Sequence, residues 1–250
     1  MSADLINSNA PAKAFFAEQS RIWSARYESR TYRQRRTLIR EFMQQYLGRL
    51  NLETRGIEVL DFGCGTGVLL KDIAELGVDV IGVDNSEPMI EAARLHVGNM
   101  CGRVTLEYIS NDLGVGIYQN RIYDIVVCIS VLEFVSDLQA VLSRLCACVA
   151  PGGVLILSIP NRHSWLRTLE KFVYRHPALV RHFTRLKHLA DPECYLSIQK
   201  HQLALDEVNV SMKQEGLRKQ EHRFYGAPKV LGRLERFERI GMTLVTVFQK

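Results

Sequence analysis

The sequence predicts a doubly wound α/β fold, and three observations carry that prediction. An apolar, strand-like run, Val59-Leu60-Asp61-Phe62, breaks into alternating glycines at Gly63, Gly65 and Gly67 before a helical pattern resumes at Val68-Leu69-Leu70. A second apolar run, Val78 to Val83, ends in an acid, Asp84. Beyond it, apolar runs and helix-spaced segments alternate as far as Pro160, which is how strands of a parallel sheet alternate with their crossover helices. With 250 residues, 47% of them hydrophobic and 24% charged, the chain can bury one sizeable core.

Taken in order, residues 12 to 49 place Phe15, Phe16, Ile22, Trp23 and Tyr27, then Leu38, Ile39, Phe42, Met43, Tyr46 and Leu47, at helical spacing. They form an N-terminal helical cap. The first strand and its glycine turn follow, then a helix from Leu69 to Leu76 and the second strand. Val104 to Ile109 reads as a third strand, Tyr123 to Ile129 as a fourth, and Pro151-Gly152-Gly153 as a helix stop leading into a fifth that ends at Pro160. The order then changes. Residues 161 to 190 carry Arg162, Arg167, Lys171, Arg175, Arg181, Arg185 and Lys187 against one acid, Glu170, with apolar residues at helical spacing on both sides of Pro177. This is a basic amphipathic helical hairpin. A helix near Leu203 to Glu215, a strand Leu217 to Tyr225, a helix Lys229 to Glu238 and an alternating strand Met242 to Phe248 close the chain.

Glycine turns between a strand and a helix bring bare backbone against a nucleotide-like ligand. The dinucleotide pattern Gly-x-Gly-x-x-Gly would demand glycine at position 68, where valine stands, and no Gly-Lys-Ser or Gly-Lys-Thr of a phosphate loop follows. What remains is Asp61-x-Gly63-x-Gly65-x-Gly67. With Asp84 followed by Asn85-Ser86-Glu87-Pro88-Met89, Ser110-Asn111-Asp112-Leu113 after the third strand, Tyr123 to Glu133, and Pro151 to Pro160, the chain resembles the class I S-adenosylmethionine-dependent methyltransferases. The resemblance covers residues 55 to 160. It implies a Rossmann-like seven-stranded sheet with an antiparallel last strand, a cap at 1–52, a cofactor-binding core at 53–160, a helical insertion after strand 5 at 161–192 and a sheet-completing part at 193–250.

The resemblance also implies a cofactor, S-adenosylmethionine, and a set of ligands. Asp61, Gly63, Cys64 and Gly65 form the first motif; Asp84 holds the ribose, and Asn85 and Met89 after it join the cofactor-binding set; Asn111, Asp112 and Leu113 fall where the family places a carboxylate near the adenine; and Ile129 ends the fourth strand. Tyr27 or Arg36 of the cap could reach the methionine carboxylate, although Arg36 also suits a solvated place in the basic run from Arg33 to Arg40. Each residue has a plainer role open to it: Asp84 and Ser86 suit a helix start, and Met89 suits the core. For chemistry, His163 after the fifth strand could take a proton from a hydroxyl, and Glu133 after the fourth could orient the acceptor. Ubiquinone-pathway O-methyltransferases, to which the chain is distantly similar, often carry Leu-Glu-His where this sequence has Leu132-Glu133-Phe134; Phe134 suits an apolar acceptor.

These readings converge on methyl transfer to a small lipophilic or aromatic metabolite, on oxygen, with 161–190 as a lid or a peripheral membrane contact. Two alternatives stay open: a tRNA or protein methyltransferase docking through the basic insertion, and a cofactor-binding scaffold without catalysis. The net charge of +5 is modest for a nucleic-acid binder. The six cysteines show no metal-like pairing; Cys128 and Cys146 fall in apolar segments, as reduced core residues would, and no metal ligands are assigned. No apolar run approaches the ~18 residues of a membrane span, and Met1 to Leu5 lacks the build of a secretory signal. The expected location is cytoplasmic, at most peripheral to the inner face of a membrane.

Overall fold

The computed structural model describes residues 10–50, 56–98, 103–111, 116–176 and 195–250. Among these a single sheet runs in the order β3-β2-β1-β4-β5-β7-β6, formed by β1 Glu58–Phe62, β2 Asp79–Asp84, β3 Val104–Tyr108, β4 Tyr123–Ile129, β5 Val149–Pro160, β6 Arg218–Tyr225 and β7 Thr243–Gln249. β1 lies between two parallel partners, Leu60 pairing with both Ile81 and Val126. β7 inserts antiparallel between β5 and β6, so the seven strands and the antiparallel last strand agree with expectation.

Strand order reverses at β1, where the chain passes from β3 back across to β4, and doubly wound sheets bind ligands at such a switch point. The helices that cover the sheet are α1 Ala10–Arg26, α2 Arg30–Leu50, α3 Val68–Ala74, α4 Glu87–Val97, α5 Leu138–Cys148, α6 Trp165–Arg175 and α7 Leu205–Gln214. Successive strand residues point to opposite faces. Val59, Val127 and Ile156 therefore pack with Ile39, Met43, Leu70 and Ile90 on one side, and Leu60, Val126 and Leu155 with Leu142, Leu145, Val208 and Met212 on the other. Burial on both faces explains why the central strands read as continuous apolar runs.

Local chemistry sets several boundaries. Asp137 caps α5, its Oδ1 accepting from the Ala140 N–H at 2.9 Å, and Pro88 sits in the first turn of α4, where its missing N–H costs nothing. The cap differs from the single helical stretch read at 12 to 49. It breaks after Arg26, and Tyr27 is buried at the corner. The segment Lys229–Arg236 is a 3-10 helix rather than an α-helix. Cys64, Cys128, Cys146 and Cys148 are buried free thiols. Of the hairpin at 161–190, α6 is present, and the half beyond Pro177 lies outside the described residues. No helix among the described residues is long and apolar enough to cross a membrane.

Candidate active site

The glycine turn owes its shape to close packing. Gly63 has φ +77, and a Cβ there would meet Val131 Cγ2 at 2.2 Å, so only glycine fits between β1 and the turn after β4. Gly65, at φ +53, instead has nothing within 4 Å of its would-be Cβ, because it opens onto a cavity of about 710 Å³. That volume suits a cofactor together with an acceptor.

Around the glycine turn the cavity is lined by Gly63, Gly65, Asp84, Asn85, Met89 and Ile129, all among the residues expected to bind the cofactor. Asp84 organises them: its Oδ2 accepts from the Gly65 N–H at 2.8 Å and its Oδ1 from the Ser86 N–H at 2.9 Å. The acid at the end of β2 thus fixes both the glycine turn and the entry to α4. Asp61 and Cys64 border a side cavity of about 10 Å³ behind Gly63, not the large one, and the Cys64 side chain belongs to the core. Asn111 does not border the large cavity. Asp112 and Leu113 lie outside the described residues.

The cap supplies residues that sequence reasoning missed. Arg36 pairs with Asp72 through two hydrogen bonds of 2.5 and 2.6 Å and does not line the large cavity. Its neighbour Arg35 does, buried, with its guanidinium 4.4 Å from the Tyr32 ring centre and 5.7 Å from that of Tyr27, and with Nη1 donating to Ser130 Oγ at 2.8 Å. Stacked aromatic faces and a hydroxyl can accommodate a buried guanidinium. Ser130 is the one non-glycine residue at positive φ, +55, among the described residues, a conformation held where surrounding contacts over-determine it. A signal for Arg35 was present: Arg35, Ile39, Phe42 and Tyr46 recur at i, i+4, i+7 and i+11, which places Arg35 on the core-facing stripe of α2.

These groups fit S-adenosylmethionine. Asp61 is buried with Oδ2 lacking a hydrogen-bond partner; burial first, and then Asp84, raise its carboxyl to about 7, with Arg35 opposing. A buried acid in that state gains from a nearby ammonium. Arg35 suits a carboxylate, and a carboxylate such as Asp84 accepts as many as about four hydrogen bonds, enough for a ribose diol besides the backbone.

At the far end the wall is aromatic. Phe16 packs edge to face on Phe134, with ring centres 5.1 Å apart, and on Trp23 at 5.2 Å, joining the cap to the turn after β4. Glu133 lies there, buried, with Oε2 lacking a partner. Burial raises its carboxyl to about 7 although Arg167 and Arg35 pull it down. Arg167 is held by Glu170 at 2.7 Å, by the Tyr195 hydroxyl at 2.5 Å and by the Met242 carbonyl at 3.0 Å, so that end is polar but charge-compensated. His163 is not brought here: it is exposed, and its N–H donates to Asn161 Oδ1 at 3.1 Å in the turn after β5. Among the described residues no group of three or more His, Cys, Asp or Glu side chains could hold a metal ion.

Residues 31–192 match a family model described as a methyltransferase domain. The ubiquinone biosynthesis O-methyltransferase of Shewanella sp. (strain ANA-3) is 38% identical over 109 residues, 43% of this chain and 45% of that protein. The protein of the same description from Bordetella avium (strain 197N) is 35% identical over 150 residues, 60% of each. The chain's matches thus span about half the length of these curated relatives. Among solved structures, magnesium protoporphyrin IX methyltransferase from Synechocystis PCC 6803 with bound SAH superposes with a TM-score of 0.68 at 17% identity, covering 97% of this chain and 99% of that one, a likeness of fold.

Proposed function

The chain belongs to the class I S-adenosylmethionine-dependent methyltransferases, and we propose that it methylates an oxygen of a small lipophilic or aromatic acceptor. The observation that carries this reading is Glu133, a buried carboxylate with an unpartnered oxygen, its pKa raised to about 7, against an aromatic wall. Carbon and amine acceptors that are already nucleophilic do not require such a group, whereas a hydroxyl does.

When bound, S-adenosylmethionine supplies a sulfonium-borne methyl group that an oxygen displaces in line, the C–S electrons leaving with sulfur. The protein's own part is binding, alignment and proton transfer. Asp84 and the bare backbone at Gly65 hold the nucleoside end, and Arg35, with Tyr27 beside it, receives the amino-acid carboxylate. Phe16, Trp23 and Phe134 seat a flat apolar acceptor and keep water away. Ionised Glu133 accepts the hydroxyl proton as the oxygen takes the methyl group. Alignment of this kind accounts for much of the rate available to a methyl transfer.

This mechanism sets a pH dependence. Only the ionised form of Glu133 can take the proton, so turnover of a phenolic acceptor should rise about tenfold per pH unit well below 7 and level off above it. The check is formation of S-adenosylhomocysteine with lipophilic phenols and alcohols, with amines and with bulk tRNA, each from pH 5 to 9. Turnover confined to amines or tRNA, or a flat acid limb, would overturn the oxygen-acceptor reading.

A further inference from the structure

We propose that Glu170 and Tyr195 are positioning residues that hold the Arg167 guanidinium back from Glu133, so that the Glu133 carboxylate stays unpaired in the cavity. The inference rests on the reading of Glu133 as proton acceptor, whose strength as a base it explains. Buried charges are ordinarily paired, and Glu133 has a cation within reach of its field. Arg167 and Glu133 border the same cavity, and the positive charge of Arg167 acts on the Glu133 carboxyl. Glu133 Oε2 nevertheless has no hydrogen-bond partner among the described residues.

The guanidinium is committed elsewhere. Its Nη1 donates to Glu170 Oε2 at 2.7 Å and to the Tyr195 hydroxyl at 2.5 Å, its Nε to the Met242 carbonyl at 3.0 Å and its Nη2 to Thr243 Oγ1 at 3.4 Å. The Tyr195 hydroxyl in turn donates to Glu170 Oε1 at 2.7 Å, closing a ring of three side chains. Arg167 and Glu170 are 13 and 12% exposed, so water screens this pair little. One stretch of chain serves both partners. Tyr195 begins the 3-10 turn Tyr195–Ser197, and further along it the Lys200 and His201 N–H groups donate to the Glu133 carbonyl at 2.8 and 3.1 Å. The beginning of the stretch restrains Arg167 while its end fixes the Glu133 backbone.

The other titratable groups around Glu133 do not take the place of Arg167. Arg35 of α2, the second cation that acts on Glu133, is held by Ser130 Oγ at 2.8 Å. The Cys128 thiol of β4 and the Tyr225 hydroxyl of β6 are both pushed up by burial and stay uncharged between pH 5 and 9. The His201 ring is turned to the Val135 carbonyl, 2.8 Å from Nε2. Where Arg167 points therefore decides whether Glu133 has a counterion. Removing the Glu170 charge leaves Arg167 with Glu133 as the carboxylate it can turn to in the cavity, and an opposite charge brought that close favours the ionised carboxylate.

The test is a pH titration of the Glu133 carboxyl by infrared difference spectroscopy on the full chain, its band assigned by loss in Glu133→Gln, alongside turnover of a soluble phenol from pH 5 to 9. The wild type should titrate at about 7. In Glu170→Gln the carboxyl titration and the acid limb should both move down by about 1–3 pH units, and the plateau should fall because the base is weaker. Tyr195→Phe, which keeps the Glu170 charge, should move both the same way by less. In Arg167→Met/Glu170→Gln no cation is left to turn, so both should stay at the wild-type value or rise. A cooperative thermal transition reports that each variant is folded. A carboxyl titration that neither single variant moves down, or that falls as far in the double variant as in Glu170→Gln, would overturn the proposal and leave the oxygen-acceptor reading standing. Shifts as stated without any turnover of hydroxyl acceptors would support the restraint on Arg167 and remove that reading.

Discussion

Replacing Asp84 by alanine is expected to weaken S-adenosylmethionine binding about 100-fold or more while the sheet stays folded. The carboxylate has two tasks in one place. It fixes the Gly65 and Ser86 backbone N–H groups at 2.8 and 2.9 Å, and it lines the cavity where the proposed site puts the ribose. A hydrogen bond to a charged group contributes about 1.5–3 kcal/mol; losing two to a ribose diol costs at least about 3 kcal/mol, a factor of about 100 or more in Kd. The core of β2 is Val80, Ile81 and Val83, none of which the substitution touches. Asp84→Asn should fall between, since an amide keeps one acceptor oxygen but no charge. Isothermal titration with S-adenosylhomocysteine checks this, and an alanine variant within a few-fold of wild type would remove Asp84 from the site.

Glu133→Gln is the second large effect, and it falls on the chemistry. Glutamine preserves the size and the buried position but accepts no proton, so turnover of hydroxyl acceptors should drop by about 10²–10⁴. Affinity for S-adenosylhomocysteine should stay near wild type, because Glu133 stands at the acceptor end. The variant should also lose the acid limb near pH 7 that the proposed mechanism assigns to the Glu133 carboxyl. The substitution should leave the fold somewhat more stable at high pH. A carboxyl whose folded pKa lies above its unfolded value binds more protons when folded, so wild-type stability falls as pH rises between the two, and glutamine has nothing to ionise. A kcat within a few-fold of wild type would exclude Glu133 as the proton acceptor.

Much of the fold was legible because its signals are local. An apolar strand, a glycine turn and a helix are consecutive in sequence, and Asp84 ends a strand whose apolar run announces it. The antiparallel strand read at Met242 to Phe248 appears as Thr243–Gln249, between β5 and β6. Less legible was anything decided between distant segments. His163 follows a strand end directly, yet Asn161 bonds back to the Glu238 and Gly241 carbonyls and turns the chain so that His163 is exposed. The choice between Arg35 and Arg36 is a rotation of about 100° on a helix. It follows from the stripe through Ile39, Phe42 and Tyr46, but the partners that make Arg35 tolerable, Tyr32 and Ser130, include one almost 100 residues away. The clustering of Arg167, Glu170 and Tyr195 around the acceptor end depends on how α6 meets β7, which no local pattern encodes.

The central claim is that the glycine turn, Asp84 and Arg35 together make a working S-adenosylmethionine site, and thermal denaturation with and without ligand tests it most directly. A ligand that binds only the folded chain at about 100 times its Kd adds about 2.7 kcal/mol, which for a chain of this size raises Tm by about 5–10 °C. The account predicts such a shift with both S-adenosylmethionine and S-adenosylhomocysteine and none with NAD. No shift with either sulfur ligand, or an equal shift with NAD, would contradict it.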